Sequence, residues 1–229
     1  MVKTVSGAAW STSTIVNKRE NTEISAMENL VLSREFFQRP VVEVAYTLLG
    51  KQLVRRVGQN KISGIILETE AYDGEQDEAC HAHHGKTKRN AVMYGPAGHA
   101  YIYFTYGMHW LLNCVTGDEG YPAAVLIRSL LPVDGIEIIA KNREGIPSAL
   151  WCNGPAKLTR AFSIDGSLNG CDLCDNSSPL WIAEGITIPE HLIQATPRIG
   201  IGYAKEPWIS KPWRFLAQIP PSKIDVEIE

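Results

Sequence analysis

The chain has 229 residues, 45% of them hydrophobic and 21% charged, and a formal net charge of −3. That length and apolar share suit one domain with a sizeable core, and the charge argues against a protein that coats nucleic acid by bulk electrostatics, leaving room only for local basic patches. No run of about 18 apolar residues occurs and the N-terminus lacks the apolar core of a secretory signal, so the sequence predicts an intracellular protein without a membrane span.

Residues 1 to 33 are rich in Ser, Thr, Lys, Glu and Asn, show no sustained periodicity, and read as a mobile tail. Met27 is a second candidate start, and Glu20 and Glu23 count against a transit peptide. A helix is predicted over "SREFFQRPVVEVAYTLLG", where Pro40 suits a first turn and Gly50 can close the helix. Two strands follow, "KQLVRRV" and "KISGIILETEAY", joined by the turn "GQN". A long loop, residues 73 to 98, leads into the strand-like runs "HAYIYFTYGMHWLLNCVT" and "AAVLIRSLL". Helices are expected at 132 to 143 and 154 to 162, shorter strands near 179 to 183, 198 to 203 and 213 to 218, and a C-terminal tail from 221. No repeat or linker divides residues 34 to 220, and strands and helices do not alternate regularly. The pattern predicts a single mixed α+β domain with a largely antiparallel sheet.

The five cysteines, Cys80, Cys114, Cys152, Cys171 and Cys174, are scattered and odd in number, so free thiols are expected rather than a disulfide scaffold. Cys171 and Cys174 form a single C-x-x-C, weak support for a metal site without a second pair. The cluster of His81, His83 and His84 has no carboxylate at matching metal-ligand spacing, and no metal is expected. Lys86, Lys88 and Arg89 form the densest basic patch, with Lys157 and Arg160 a smaller one. From charge alone, both read first as solvated surface.

The segment "ILETEAYDG" raises the sharper question. Strand alternation puts Glu68, Glu70 and Tyr72 on one face of a run that otherwise reads as core. Arg128, in "VLIRSLL", would be costly without a carboxylate partner, by several kcal/mol. A Glu–Arg pair there is either structural or a means of holding a water. Tyr72, Tyr94, Tyr101, Tyr103 and Tyr106 gather in one third of the chain, and core packing of a sheet covers several of them. Tyr106 precedes Gly107 between two strand-like runs, so it is expected at a hairpin tip, where a large ring acts as a probe. Asn113, in "WLLNCV", either bonds neighbouring backbone or lines a ligand pocket, because an unpartnered amide in a core costs about 1 to 3 kcal/mol.

"ETEAY", the acidic loop ending in His81, "RNAVMYGPAGHAYIYFTYGMHWLLN", "VLIRSL", "GPAKL" and "RIGI" followed by "PWRF" together closely resemble the alkyladenine (3-methyladenine) DNA glycosylase family, from about Phe36 to about Phe215. The resemblance implies a curved antiparallel sheet, a monomer acting on damaged double-stranded DNA, and hydrolysis of the N-glycosidic bond of damaged purines without metal or cofactor. It makes Glu70 the general base and Arg128 its helper in holding the attacking water. Tyr72 becomes one wall of the base pocket, with His81 and Tyr103 the other. Asn113 crowds the 2-amino group of normal guanine, and Tyr106 is the wedge left in the duplex. Glu68 is expected to be structural.

Lys86, Lys88, Arg89, Met93, Tyr94 and Lys157 are candidate DNA contacts, and affinity through the basic ones should fall steeply with salt. A cationic base such as 3-methyladenine or 7-methylguanine leaves readily, whereas hypoxanthine needs an acid that the sequence does not identify. Such a protein is expected to sit with the genome, in the cytoplasm or nucleoid, or in a nucleus. Two rivals remain at this stage: a glycosidase using Glu68 and Glu70 as an acid and base pair, and a non-catalytic module that flips and holds damaged bases.

Overall fold

The computed structural model describes residues 27–219, so residues 1–26 of the expected N-terminal tail and the whole C-terminal tail expected from 221 lie outside the described residues. Residues 27–33, grouped with the tail by composition, are packed: Leu32 is buried, Val31 forms a β-bridge with Ala183, and the Trp181 indole donates to the Glu28 carbonyl at 2.8 Å.

The first predicted helix is divided in two. Helices α1 (Arg34–Phe37) and α2 (Val41–Thr47) are separated at Pro40, which caps α2 instead of lying within its first turn. Proline pushes its preceding residue out of helical conformation, and this breaks the run. Gly50, with φ +86°, turns the chain into the sheet, where a Cβ would run into the Ile186 carbonyl.

Among the described residues, eight strands form one curled antiparallel sheet: β1 (Gln52–Val57), β2 (Asn60–Asp73), β3 (Ala100–Thr105), β4 (His109–Thr116), β5 (Ala123–Asp134), β6 (Leu180–Ala183), β7 (Ile193–Thr196) and β8 (Arg214–Ala217). The main path is β3-β4-β5-β2-β1-β6, with a β7–β8 ribbon attached to β2. The 14-residue β2 is the axis of the molecule. One edge pairs with β5 along most of its length, while the other changes partner, from β1 over residues 60 to 65 to β8 over residues 68 to 70. Being flanked and covered, β2 is buried on both faces from Ile62 to Leu67, which is why it reads there as a near-continuous apolar run.

Helix α2 lies against β2, fixed in part by the Thr69 hydroxyl donating to the Ala45 carbonyl at 2.7 Å. Phe37, Val44, Leu48, Ile65, Val125, Ile127 and Phe162 belong to the main core. Helices α3 (Ile136–Asn142) and α4 (Pro155–Ala161) complete the mixed α+β domain. The helix expected from 132 begins four residues later, because residues 132 to 134 finish β5 and Gly135, at φ +66°, makes the turn. One further expectation fails: residues 198 to 203 are loop rather than strand. The short, half-exposed β7 was not predicted, for it carries no pattern strong enough to find.

Candidate active site

Between Ile66 and Thr69 the β2–β5 register shifts twice: Leu67 is left without a partner on β2, then Arg128 on β5. Such irregularities re-aim side chains. Here Arg128 reaches both carboxylates, Nε donating to Glu68 Oε1 at 2.7 Å and Nη1 to Glu70 Oε2 at 3.1 Å. Arg214 of β8 adds a second donor to Glu68 Oε1 at 2.8 Å. Two carboxylates and two guanidiniums thus balance within the sheet. Burial works against the Arg128 charge, but Glu70 and then Glu68 outweigh it and raise its pKa above the ordinary value.

Glu70 is fully enclosed. Its Oε2 accepts from the Tyr72 hydroxyl at 2.8 Å as well as from Arg128, and its Oε1 accepts from the Ile199 backbone N–H at 2.7 Å. A carboxylate offers about four lone-pair directions, so three donors leave one open. Burial, then the Glu70 charge and hydrogen bond, push the Tyr72 hydroxyl well above its ordinary pKa, so it stays protonated and donating.

Beside this group lies a cavity of about 320 Å³ lined by Tyr72, His81, Met93, Tyr101, Tyr103, Tyr106, Asn113, Arg128, Ile199 and Tyr203 among others. It is large enough for one planar heterocycle and falls at the lower end of ligand-pocket sizes, about 300 to 1,000 Å³. Tyr101 and Tyr103 stack with ring centroids 5.4 Å apart, and His81 meets Tyr103 edge-on at 4.4 Å. His81 Nδ1 lies 2.9 Å from the buried Tyr101 hydroxyl. Although the outer side of His81 is exposed, desolvation of the ring, with Arg89 nearby, lowers its pKa from 6.5 to about 4. It is therefore neutral at pH 7. Asn113 satisfies both readings of the sequence, since its amide donates to the Tyr101 carbonyl at 3.0 Å while the residue lines the cavity.

At the mouth of the cavity stands the β3–β4 hairpin, with Tyr106 at its tip and 84% exposed. Gly107 takes a left-handed conformation at φ 67°, and Tyr106 beside it is left-handed as well, at φ 50°. A left-handed non-glycine residue costs about 1 to 2 kcal/mol, and strain of this kind gathers at functional positions. Across the same cavity, the loop after Arg198 presents Ile199 and Tyr203, both exposed.

Among the candidate DNA contacts, Lys86, Lys88 and Arg89 are exposed. The Arg89 guanidinium stands 5.3 Å from the Tyr103 ring centroid, and the Lys86 ammonium 5.2 Å from that of Tyr94. Tyr94 itself is half-buried and donates its hydroxyl to Glu75 at 2.7 Å. Lys157, in the first turn of α4, donates to Asn153 at 2.9 Å. Met93 is different: it is buried in the cavity wall, so its side chain is part of the pocket's support and not a surface contact as the sequence had it. His83 bonds the Glu75 carbonyl, and among the described residues no group of three or more His, Cys, Asp or Glu side chains is arranged to hold a metal ion. All five cysteines are free thiols.

The sequence reading missed Asp77, Arg198 and the Ile199 N–H. Asp77 and Arg198 form a fully buried two-pronged ion pair, at 2.5 and 2.9 Å, directly behind Tyr72. No signal short of the fold could have joined residues so far apart in the chain.

The curled antiparallel sheet thus carries a buried carboxylate, an aromatic cleft and a projecting tyrosine side by side. Residues 35–221 match the family model described as methylpurine-DNA glycosylase (MPG). A protein of Methanocella arvoryzae named "Putative 3-methyladenine DNA glycosylase" is 49% identical over 189 residues, covering 81% of this chain and 91% of its own length. A protein of the same name from Carboxydothermus hydrogenoformans is 49% identical over 186 residues, covering 81% and 94%, and one from Prosthecochloris aestuarii is 43% identical over 201 residues, covering 83% and 94%. The chain belongs to the methylpurine-DNA glycosylase family, and is with it a DNA glycosylase of base-excision repair.

Proposed function

We infer that the protein extrudes alkylated or deaminated purines, of the 3-methyladenine, 7-methylguanine and hypoxanthine type, from duplex DNA and hydrolyses their N-glycosidic bond with a Glu70-activated water. The observation that carries this reading is the position of Glu70, enclosed behind an aromatic cavity and held by Tyr72, Arg128 and the Ile199 N–H with one lone-pair direction left.

A base within a duplex is out of reach of water, and extruding it costs a few kcal/mol, least for damaged or mispaired bases. Tyr106 fills the gap and offsets part of that cost. Tyr72, His81 and Tyr103 receive the base, and stacking on aromatic rings contributes about 1 to 3 kcal/mol per base with little regard for its identity. Glu70 takes a proton from the water as its oxygen bonds to C1′, while the electrons of the breaking C–N bond leave with the purine. The sugar passes through an oxocarbenium-like state. A cationic methylpurine departs as a neutral molecule, and hypoxanthine requires a proton. The product is an abasic site in an intact strand, released by a monomer without metal or cofactor.

The test uses excess protein with a duplex bearing one hypoxanthine, and in parallel with methylated DNA. Alkali-dependent strand breaks formed by wild type but not by Glu70→Gln support the reading. Release from methylated DNA alone narrows it to labile cationic bases, and breaks formed without alkali refute the single-step hydrolysis. Tight lesion binding with no release from either substrate replaces it with the non-catalytic module.

A further inference from the structure

The geometry points to the Asp77–Arg198 pair as a positioning device that sets two parts of the site at once, the Tyr72 ring and the Ile199 backbone N–H. The inference rests on the glycosylase reading for its catalytic consequence, but not for its structural one.

The pair is buried to zero exposure on both sides, and burying an ion pair is a poor route to stability unless its geometry is needed elsewhere. The Arg198 Nε is also buried and has no hydrogen-bond partner among the described residues, so bonding alone does not explain the placement. What the placement does accomplish is visible in the other contacts. Arg198 Nη1 donates to the carbonyl of Ala71, the residue before Tyr72, at 2.9 Å. The guanidinium carbon lies 4.8 Å from the Tyr72 ring centroid and 5.2 Å from that of Trp213. Beyond it, the Lys211 ammonium sits 4.0 Å from Trp213 and 3.9 Å from Trp208, so cations and rings form a continuous stack behind the Tyr72 wall. Asp77 adds its own anchors, accepting from the backbone N–H groups of Asp73 at 3.1 Å and Ala79 at 3.0 Å, and so fixes the loop that runs to His81.

The second consequence follows from chain connectivity. Ile199 is exposed and lies in an irregular loop, yet its N–H meets Glu70 at 2.7 Å. On the far side the loop is anchored by Ile201, which packs inward against Ala79 and Ala204. On the near side Arg198, one residue earlier and locked in the interior, is the hold next to the Ile199 N–H. Neither Asp77 nor Arg198 touches the cavity, so they act through Tyr72, Ile199 and thereby Glu70.

The decisive variant replaces the pair with apolar side chains, Asp77→Leu together with Arg198→Met, an exchange that leaves many buried ion pairs' proteins folded. Amide hydrogen exchange at Ile199 is measured alongside single-turnover base release at saturating protein and the melting temperature. With the fold retained, Ile199 exchange should quicken at least about 10-fold as the loop opens locally, and base release at saturation should slow by roughly 10²-fold, the effect of a misplaced reacting group. Arg198→Lys keeps the charge but loses the planar fork, so the same two changes should appear in smaller measure. It carries the test if the double variant does not fold. An Ile199 amide as protected as in wild type, or an unchanged rate at saturation, overturns the inference. If wild type itself releases no base, the functional reading fails, and the exchange measurement still decides the positioning.

Discussion

Replacing Glu70 with Gln perturbs the site in a way that can be worked out atom by atom. Tyr72 and Arg128 both donate to Oε2, and Ile199 donates to Oε1. A glutamine has one oxygen and one NH2, so it cannot accept on both sides. Arg128 has no acceptor capacity, so the new oxygen goes to the Arg128 and Tyr72 side, leaving the NH2 against the Ile199 N–H. One buried donor then goes unsatisfied, at a cost of about 1 to 3 kcal/mol. At roughly 2 to 4 °C per kcal/mol for a domain of this size, melting should fall by about 2 to 12 °C. Glu68 still pairs Arg128, so the larger penalty of a bare buried charge is avoided. Chemistry should suffer far more, because a positioned general base contributes about 10² to 10⁴ in rate. Thermal melts, lesion-duplex binding and single-turnover release at saturating protein separate the effects. Release within tenfold of wild type would refute Glu70 as the base, and an unshifted melt would refute the three-donor arrangement.

Glu68→Gln should show the opposite balance, losing stability through its contacts with Arg128 and Arg214 while base release at saturation stays within about tenfold. Equal losses of rate for the two glutamates would favour a two-carboxylate mechanism. Tyr106→Gly removes the left-handed strain at φ 50° together with the exposed ring, so the melting temperature should hold or rise while lesion affinity drops; unchanged affinity would end the wedge role. Asn113→Ala should admit guanine into the cavity, scored as base release from undamaged DNA, and unaltered discrimination would return Asn113 to bonding the Tyr101 carbonyl alone. The depressed pKa of His81 gives a sign for pH: between 6.5 and about 4 the unfolded chain binds the proton more readily, so the His81 contribution is full above 6.5 and is lost as pH falls toward 4. Melting curves of His81→Gln should therefore be flatter than wild type across that window, and parallel curves would refute the desolvated ring.

The face shared by Glu68, Glu70 and Tyr72 was legible because a carboxylate in an apolar strand breaks the pattern, and Arg128 was legible because a guanidinium in another such strand needs an answer. Tyr106 was legible from the glycine beside it. The loop that completes the site was not. "RIGIGY" alternates apolar residues with glycine and imitates a strand, but only Ile201 packs inward, while Ile199 and Tyr203 face out. Two glycines so close together argued against a strand interior, and that signal was outweighed by the alternation. Asp77 was illegible for another reason. An acid in a loop reads as solvated, and its partner Arg198 is 121 residues further on.

The change of neighbours along β2 explains why the two carboxylates differ although the sequence spaces them as equivalents. Each flanking strand delivers one guanidinium, Arg128 from β5 and Arg214 from β8, and both converge on Glu68. Glu70, two positions on, receives only Arg128, and fills its other contacts with uncharged donors, a phenol and a backbone N–H. Glu68 thus faces two cations, whereas Glu70 faces one cation and two neutral donors. On the glycosylase reading, Glu68 between two cations is the structural partner, and Glu70, sharing one cation beside the aromatic cavity, is the proton acceptor. At the double register shift of Leu67 and Arg128, a single guanidinium reaches both carboxylates and so couples Glu68 to Glu70.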